Sequence, residues 1–139
     1  MREPTYVSFF EEFGIGDVAS VGGKNASLGE MYQKLSGQGV RVPNGFAVTA
    51  EAYRAMLAEA KILEPLHEAL DGLDADDVAD LGRRAKRARE LVYGAGLPQD
   101  LAGQICVSYR RLQDEYGEDI SLAVRSSAIC FAWAMVRPT

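Results

Sequence analysis

The sequence has 139 residues, of which 47% are hydrophobic and 25% are charged, as expected for one soluble globular domain with its own core. The net charge of −5 argues against a general nucleic-acid-binding or membrane-binding surface, and no apolar run is long enough to cross a bilayer. The two cysteines, Cys106 and Cys130, form no CxxC pair, which predicts a reduced, cytoplasmic setting.

The amino-terminal half predicts two short strands and two helices. Residues 6–10 are a β-branched and aromatic run that is closed by glycines, and Phe46–Val48 is a second run of this kind. Thr49 is the predicted N-cap of the helix that follows. The two helices are indicated by apolar residues at helical spacing, which are Leu28, Met31, Tyr32 and Leu35 in the first and Tyr53, Met56, Leu57 and Ala60 in the second.

The carboxyl-terminal half predicts two longer helices and a last strand. One helix begins at Asp76 and ends at Gly94 or Gly96, and the next begins at Pro98, a residue favoured in the first turn. "ISLAVRSS" (residues 120–127) is typical of a buried strand that ends in polar residues. Strands at both ends with several amphipathic helices between them predict an α+β fold, not a complete doubly wound sheet.

The stretch "SVGGKNASLGEM" (residues 20–31) places two glycines and a lysine directly before a helix. Glycines let the backbone approach a ligand closely, the first N–H groups of a helix point toward negative charge, and Lys24 adds a compact positive charge. The stretch is not a Walker A loop, because Lys24 is followed by Asn25 and position 18 is not glycine. Two interpretations are equally good on the pattern alone: a phosphate site, or a Gly-Gly turn before a helix with an exposed lysine.

Three other patterns predict no site. "GIGDVA" (residues 14–19) matches the loose fingerprint G-x-G-x-x-A, but Gly22 and Gly23 interrupt the helix that a dinucleotide site needs. "GRRAKRARE" (residues 82–90) follows an acidic stretch and lacks interleaved aromatics, so it predicts a solvated helix face with an Asp80–Arg84 pair. His67 has no cysteine or second histidine at ligand spacing, so it is predicted to be a surface or half-buried helix residue and is given no role.

Arg125 ends the predicted last strand and is followed by Ser126 and Ser127. A rigid donor fork and two hydroxyls at the rim of a sheet are typical of a substrate site. The alternative is an edge arginine that pairs with a surface acid.

Three motifs in this order, "VGGKNASLGEM", "GVRVPNGFAVTAEAY" and "SLAVRSSA", closely resemble the start of the phosphoenolpyruvate synthase (pyruvate, water dikinase) family. Pyruvate phosphate dikinases and rifampicin phosphotransferases are its relatives. The resemblance implies that residues 1–128 are the N-terminal part of an ATP-grasp-type nucleotide-binding domain. It also implies that Lys24 and Arg125 contact the phosphates of ATP, while Gly22 and Gly23 let the loop close over them.

The resemblance further implies a kinase-type phosphotransferase of gluconeogenic carbon flow. In the family, ATP phosphorylates a histidine on a swivelling domain, and pyruvate, bound elsewhere, then becomes phosphoenolpyruvate as AMP and phosphate are released. From Ile129 onward this chain reads "ICFAWAMVRPT", where the family has an acidic, glycine-bearing stretch of the type T-A-E-D…S-F-A-G. We therefore expect a divergent apolar tail over residues 129–139, and we expect the Mg²⁺ ligands, the histidine and the pyruvate site to lie outside an inactive N-terminal fragment.

Other functions remain open on the sequence. The chain is alternatively a non-catalytic regulatory or interaction module that docks through its apolar tail. It is alternatively the ATP-binding part of a pyruvate phosphate dikinase or a rifampicin phosphotransferase, because the choice of acceptor lies in other domains. A split enzyme that is completed by a separately encoded remainder is a further possibility.

Overall fold

The computed structural model describes residues 5–127. Within them the fold is a helix-rich α+β arrangement, as the sequence predicts. Its elements are β1 (Val7–Phe9), a 3-10 turn (Ile15–Asp17), α1 (Val18–Val21), α2 (Gly23–Leu35), a 3-10 turn (Ser36–Gln38), β2 (Phe46–Val48), α3 (Ala50–Glu59), α4 (Leu63–Leu70), α5 (Val78–Ala95) and α6 (Gln99–Tyr116). None of these helices is both long enough and apolar enough to span a membrane.

The two strands form one antiparallel pair. Val7 lies opposite Val48 and Phe9 opposite Phe46, with the two phenylalanine rings 5.6 Å apart between centroids. The N–H of Thr49 donates to the carbonyl of Tyr6 at 2.9 Å and extends the pairing beyond β2. Both strands lie where their β-branched and aromatic residues predict them.

The predicted strand over residues 120–127 is wrong. This segment has no regular secondary structure, and Val124 is 91% exposed instead of buried. A strand forms when a neighbouring strand takes up its backbone hydrogen bonds. In the described part of the chain the sheet contains β1 and β2 alone, so the alternating apolar residues of this segment have no strand to pair with.

The helices predicted from Gly23, Thr49, Asp76 and Pro98 onward are confirmed as α2, α3, α5 and α6. Thr49 caps α3 because its Oγ1 accepts the N–H of Ala52 at 3.3 Å. Helix α5 runs through Gly94 and ends at Gly96, whose φ of +68° suits a residue without a Cβ atom. The short helix α1 was not predicted, whereas His67 lies half-buried on the short helix α4, as the sequence predicts.

The core contains two clusters of buried apolar residues. The first supports the glycine stretch and the second joins α3 to α4 and α5. Their buried members are Phe10, Phe13, Val21, Ala26 and Ala47 in the first and Met56, Leu57 and Leu66 in the second. Because Val21 and Ala26 belong to the first cluster, the two sides of the glycine pair are anchored in the core.

Helix α6 packs against β1 and brings the carboxyl-terminal segment back to the amino-terminal half. The N–H of Tyr6 donates to Gln104 Oε1 at 2.8 Å, and the guanidinium of Arg111 lies 3.9 Å from the ring centroid of Phe9. At the end of the helix, the hydroxyl of Tyr116 accepts the N–H of Asn44 at 2.7 Å. Residues 118–127 therefore start beside the loop that precedes β2.

The predicted Asp80–Arg84 pair is confirmed and connects α5 to the end of α4. Arg84 Nε donates to Asp80 Oδ2 at 2.6 Å, while Arg84 Nη1 donates to the carbonyls of Asp71 at 2.5 Å and Ala69 at 3.3 Å. The hydrogen bond from Arg84 is the main reason why the pKa of Asp80 lies below its ordinary value of 3.8.

This pair predicts a pH dependence of stability. A carboxylate whose folded-state pKa is depressed stabilises the fold above its unfolded pKa, and that contribution is lost as the pH falls through the folded value. We expect Asp80→Asn to lower the melting temperature at pH 7, and the deficit relative to the native chain to shrink below about pH 4. Thermal unfolding followed by circular dichroism measures both. The control is Asp76→Asn, an exposed position outside this pair, and an equal deficit for Asp80→Asn at every pH would contradict the prediction.

Candidate functional site

Gly22 forms the junction between α1 and α2. Its φ of +85° and ψ of 158° belong to a region of backbone conformation that only glycine adopts without strain. Its N–H donates to the carbonyl of Val18 at 2.8 Å, and its carbonyl accepts the N–H of Ala26 at 2.9 Å. The residue thus ends one helix and begins the next, which places the start of α2 directly after a sharp bend.

The amino terminus of α2 has no side-chain cap. The N–H groups of its first turn, from Gly23 to Asn25, lack acceptors within the helix and carry the positive end of its dipole. Gly23 and Lys24 are exposed, and no ion pair within residues 5–127 involves Lys24. The arrangement offers free donors and one positive charge to an anion.

Gly22 lies against Ser127, the last described residue of the third motif. A Cβ atom added to Gly22 would overlap Ser127 Oγ and would lie 3.3 Å from Ser127 Cβ. The "VGGK" and "VRSS" motifs are therefore in contact, although the chain separates them by about a hundred residues. We refer to this packing as the Gly22–Ser127 contact.

Lys24 and Arg125 each lie two residues from the Gly22–Ser127 contact. Arg125 is exposed, and its segment is the irregular one that replaces the predicted strand. No salt bridge among the described residues involves Arg125, so the surface acid of the alternative interpretation is not found there. Sequence reasoning named Ser127 as a polar residue of the rim but did not predict that it packs on a glycine.

Helix α2 also binds the backbone of the segment that leads into the glycine stretch, which sequence reasoning missed. Asn25 Nδ2 donates to the carbonyl of Val21 at 2.8 Å, and Glu30 Oε2 accepts the N–H of Ile15 at 3.2 Å. Gln33 Nε2 donates to two further carbonyls, those of residues 10 and 13, at 3.0 and 2.6 Å. The pKa of Glu30 lies below its ordinary value, mainly because Lys34 donates a hydrogen bond to it and secondarily because Ile15 N–H does.

Metal ligands are not gathered in the described chain. Within residues 5–127, no group of three or more histidine, cysteine, aspartate or glutamate side chains is arranged to hold a metal ion. The "GIGDVA" stretch forms a 3-10 turn and α1 instead of a dinucleotide loop, and the N–H of Gly14 donates to Asp17 Oδ2 at 2.9 Å. The described residues therefore offer donors for a phosphate at the start of α2, but they do not offer a set of side-chain ligands for a metal ion.

An uncapped helix start next to a lysine and an arginine-bearing motif is the kind of arrangement that nucleotide-binding domains use. Residues 18–130 match the family described as pyruvate phosphate dikinase, AMP/ATP-binding domain, and the chain belongs to this family. The match includes Gly22, Gly23, Lys24 and Arg125.

The curated relatives are phosphoenolpyruvate synthases. The chain is 49% identical to that of Neisseria meningitidis serogroup B over 124 residues, which is 88% of this chain and 16% of the relative. It is 42% identical to that of Synechocystis sp. over 132 residues (91% and 16%) and 42% identical to that of Escherichia coli strain K12 over 122 residues (88% and 15%). The resemblance seen in the three motifs is confirmed, and the chain spans about one sixth of the length of these relatives.

Proposed function

We propose that this chain contributes ATP-phosphate binding to a phosphoenolpyruvate synthase-like phosphotransferase, as part of an ATP-grasp-type domain. The observation that carries the proposal is the Gly22–Ser127 contact, which joins the glycine motif to the arginine motif at an uncapped helix start. The family to which the chain belongs is described as AMP/ATP-binding, which supports a nucleotide as the anion.

The proposed roles follow from the chemistry of phosphate groups. The first N–H groups of α2 donate to phosphate oxygens, with Gly22 providing the bend that exposes them. Lys24 adds a point charge, and Arg125 adds a planar fork that suits two phosphate oxygens at once. Transfer of a phosphoryl group depends mainly on positioning and on stabilising the charge that is spread over its oxygens, and these groups supply both.

The remaining parts of the reaction are proposed to lie outside the described residues. These parts are the Mg²⁺ ligands, the histidine that carries the phosphoryl group and the pyruvate site. The proposed context is the conversion of ATP, pyruvate and water into phosphoenolpyruvate, AMP and phosphate, within gluconeogenic carbon flow. The division into a domain over residues 1–128 and a tail over residues 129–139 stays a prediction, since the tail lies outside the described residues.

Substitution of the two basic residues tests the proposal. We expect Lys24→Ala and Arg125→Ala each to weaken binding of ATP-Mg by about tenfold or more, because each removes a charge-assisted contact to phosphate. Two-dimensional NMR titration is the suitable measurement, since it detects the weak binding expected of one side of a nucleotide cleft and locates it on Gly22, Gly23 and Lys24.

Lys86→Ala is the matched control, because it removes an equal charge from an exposed position of α5. Its affinity for ATP-Mg should equal that of the native chain. Tight binding that survives Lys24→Ala, or nucleotide-induced shifts that gather on α5 and not on α2, would contradict the assignment.

A further inference from the structure

The turn at Gly14 and Ile15 is held by a carboxylate from the middle of α2. Glu30 Oε2 accepts the N–H of Ile15 at 3.2 Å, and a Cβ atom on Gly14 would lie only 2.6 Å from the same oxygen. The carboxylate therefore occupies space that a side chain at position 14 would fill. Its other oxygen, Oε1, pairs with Lys34 one helical turn further on, which orients the group.

This turn starts a continuous helical path to the glycine junction. The 3-10 turn Ile15–Asp17 leads without interruption into α1, and α1 ends at Gly22. Helix α1 has four residues, far fewer than an isolated helix needs to be stable in water. Its geometry thus depends on what holds its two ends.

Both ends are held by side chains of α2. Glu30 binds the start at Ile15, and Asn25 Nδ2 binds the carbonyl of Val21 at the end, at 2.8 Å. Val21 is also buried in the first apolar cluster, so the end near Gly22 has a second anchor. At the start, Ile15 is 59% exposed, but Phe13, which directly precedes Gly14, is buried in the first cluster, and Gln33 Nε2 donates to its carbonyl at 2.6 Å. Glu30 adds the contact to the N–H of Ile15, the first residue of the 3-10 turn.

We infer that Glu30 is a positioning residue for the proposed phosphate site at the start of α2: by holding Gly14 and Ile15 it restrains α1 and thereby the orientation of Gly22 and the first N–H groups of α2. The inference rests on the proposed function only for the identity of the ligand, which is the phosphate of ATP. The contacts of Glu30 with Gly14 and Ile15 are present in the chain without nucleotide, so their effect on α1 can be measured without ATP. Because the contact to Ile15 needs an acceptor oxygen and not a negative charge, a glutamine at position 30 can retain it.

Hydrogen exchange of the free chain is the first test. The Gly22 N–H, which donates to Val18, reports whether α1 is formed. We expect Glu30→Ala to speed exchange at Gly22 by about tenfold, the effect of losing one hydrogen bond, with exchange in α5 and α6 unchanged. Glu30→Gln should restore slow exchange, and Lys34→Ala, which keeps the contact to Ile15, should remain within about twofold of the native chain.

Titration with ATP-Mg, followed by NMR on the same four proteins, is the second test. We expect Glu30→Ala to raise the dissociation constant for ATP-Mg by about the same factor by which it raises the exchange rate of the Gly22 N–H. Glu30→Gln should bind ATP-Mg with the native affinity. Unchanged exchange at Gly22 in Glu30→Ala, or exchange that rises equally in α5 and α6, would overturn the inference, since the second result indicates a general loss of stability. If the native chain itself shows no response to ATP-Mg, the proposed function fails and the exchange data alone decide the role of Glu30.

Discussion

Gly22→Ala is expected to abolish the NMR chemical-shift changes that ATP-Mg causes in residues 22–24, and to lower the free energy of unfolding. Gly22 has a φ of +85°, and holding a residue with a Cβ atom in this region costs about 1–3 kcal/mol. The new methyl group would also overlap Ser127 Oγ, so the third motif must move away from the glycine. Because Arg125 lies two residues before Ser127, this movement displaces the proposed phosphate ligand as well.

Gly23→Ala is the matched control for this substitution. Gly23 is the first residue of α2, its φ is not positive, and a Cβ atom there would meet nothing within 4 Å. Alanine is a better helix former than glycine, so we expect stability to stay equal or to rise by up to about 1 kcal/mol. Chemical denaturation and NMR titration of both variants make the comparison.

The variant Gly22→Ala/Ser127→Ala separates the two causes of the effect. Removing Ser127 Oγ relieves the overlap and leaves the backbone strain, so part of the lost stability should return. The prediction is wrong if Gly22→Ala and Gly23→Ala are equally stable. It is also wrong if Gly22→Ala binds ATP-Mg as the native chain does.

Leu57→Ala is expected to have the largest effect on stability. Leu57 is fully buried at the centre of the second apolar cluster, where α3 meets α4 and α5. Truncation of a buried leucine removes its apolar contacts and leaves a cavity, which together cost about 2–5 kcal/mol. The midpoint of urea denaturation should fall accordingly, with an unchanged slope if unfolding stays cooperative.

Glu59→Ala provides a control within α3, because Glu59 is exposed. A surface substitution of this kind changes the free energy of unfolding by about 0.5 kcal/mol or less. A loss below about 1 kcal/mol for Leu57→Ala would show that the second cluster contributes little to the fold. Since Leu57 belongs to the second cluster and the glycine stretch rests on the first, the folded fraction of this variant should retain the native affinity for ATP-Mg.

Local patterns were sufficient for most of the elements. The apolar spacing around Met56 and Leu112, the capping hydroxyl of Thr49 and the β-branched run at β1 act over a few residues, and the structure confirms the elements that they predict. The bounds of helix α4 were not predicted, although Leu66 is one of the most buried residues, because an eight-residue helix provides only two turns of periodicity. The motifs around Lys24 and Arg125 were sufficient to identify the family.

The sequence by itself determined the family, the helices α2, α3, α5 and α6, and the two strands of the sheet, because these depend on short-range spacing and on ordered motifs. Tertiary structure alone decided that residues 120–127 have no regular secondary structure. An alternating pattern becomes a strand only where a neighbouring strand takes up its backbone hydrogen bonds. Tertiary structure also decided that Ser127 packs on Gly22 and that Glu30 holds Ile15. Such contacts depend on how α6 returns the chain to its beginning and how α2 packs beside the preceding turn, and no local pattern encodes either arrangement.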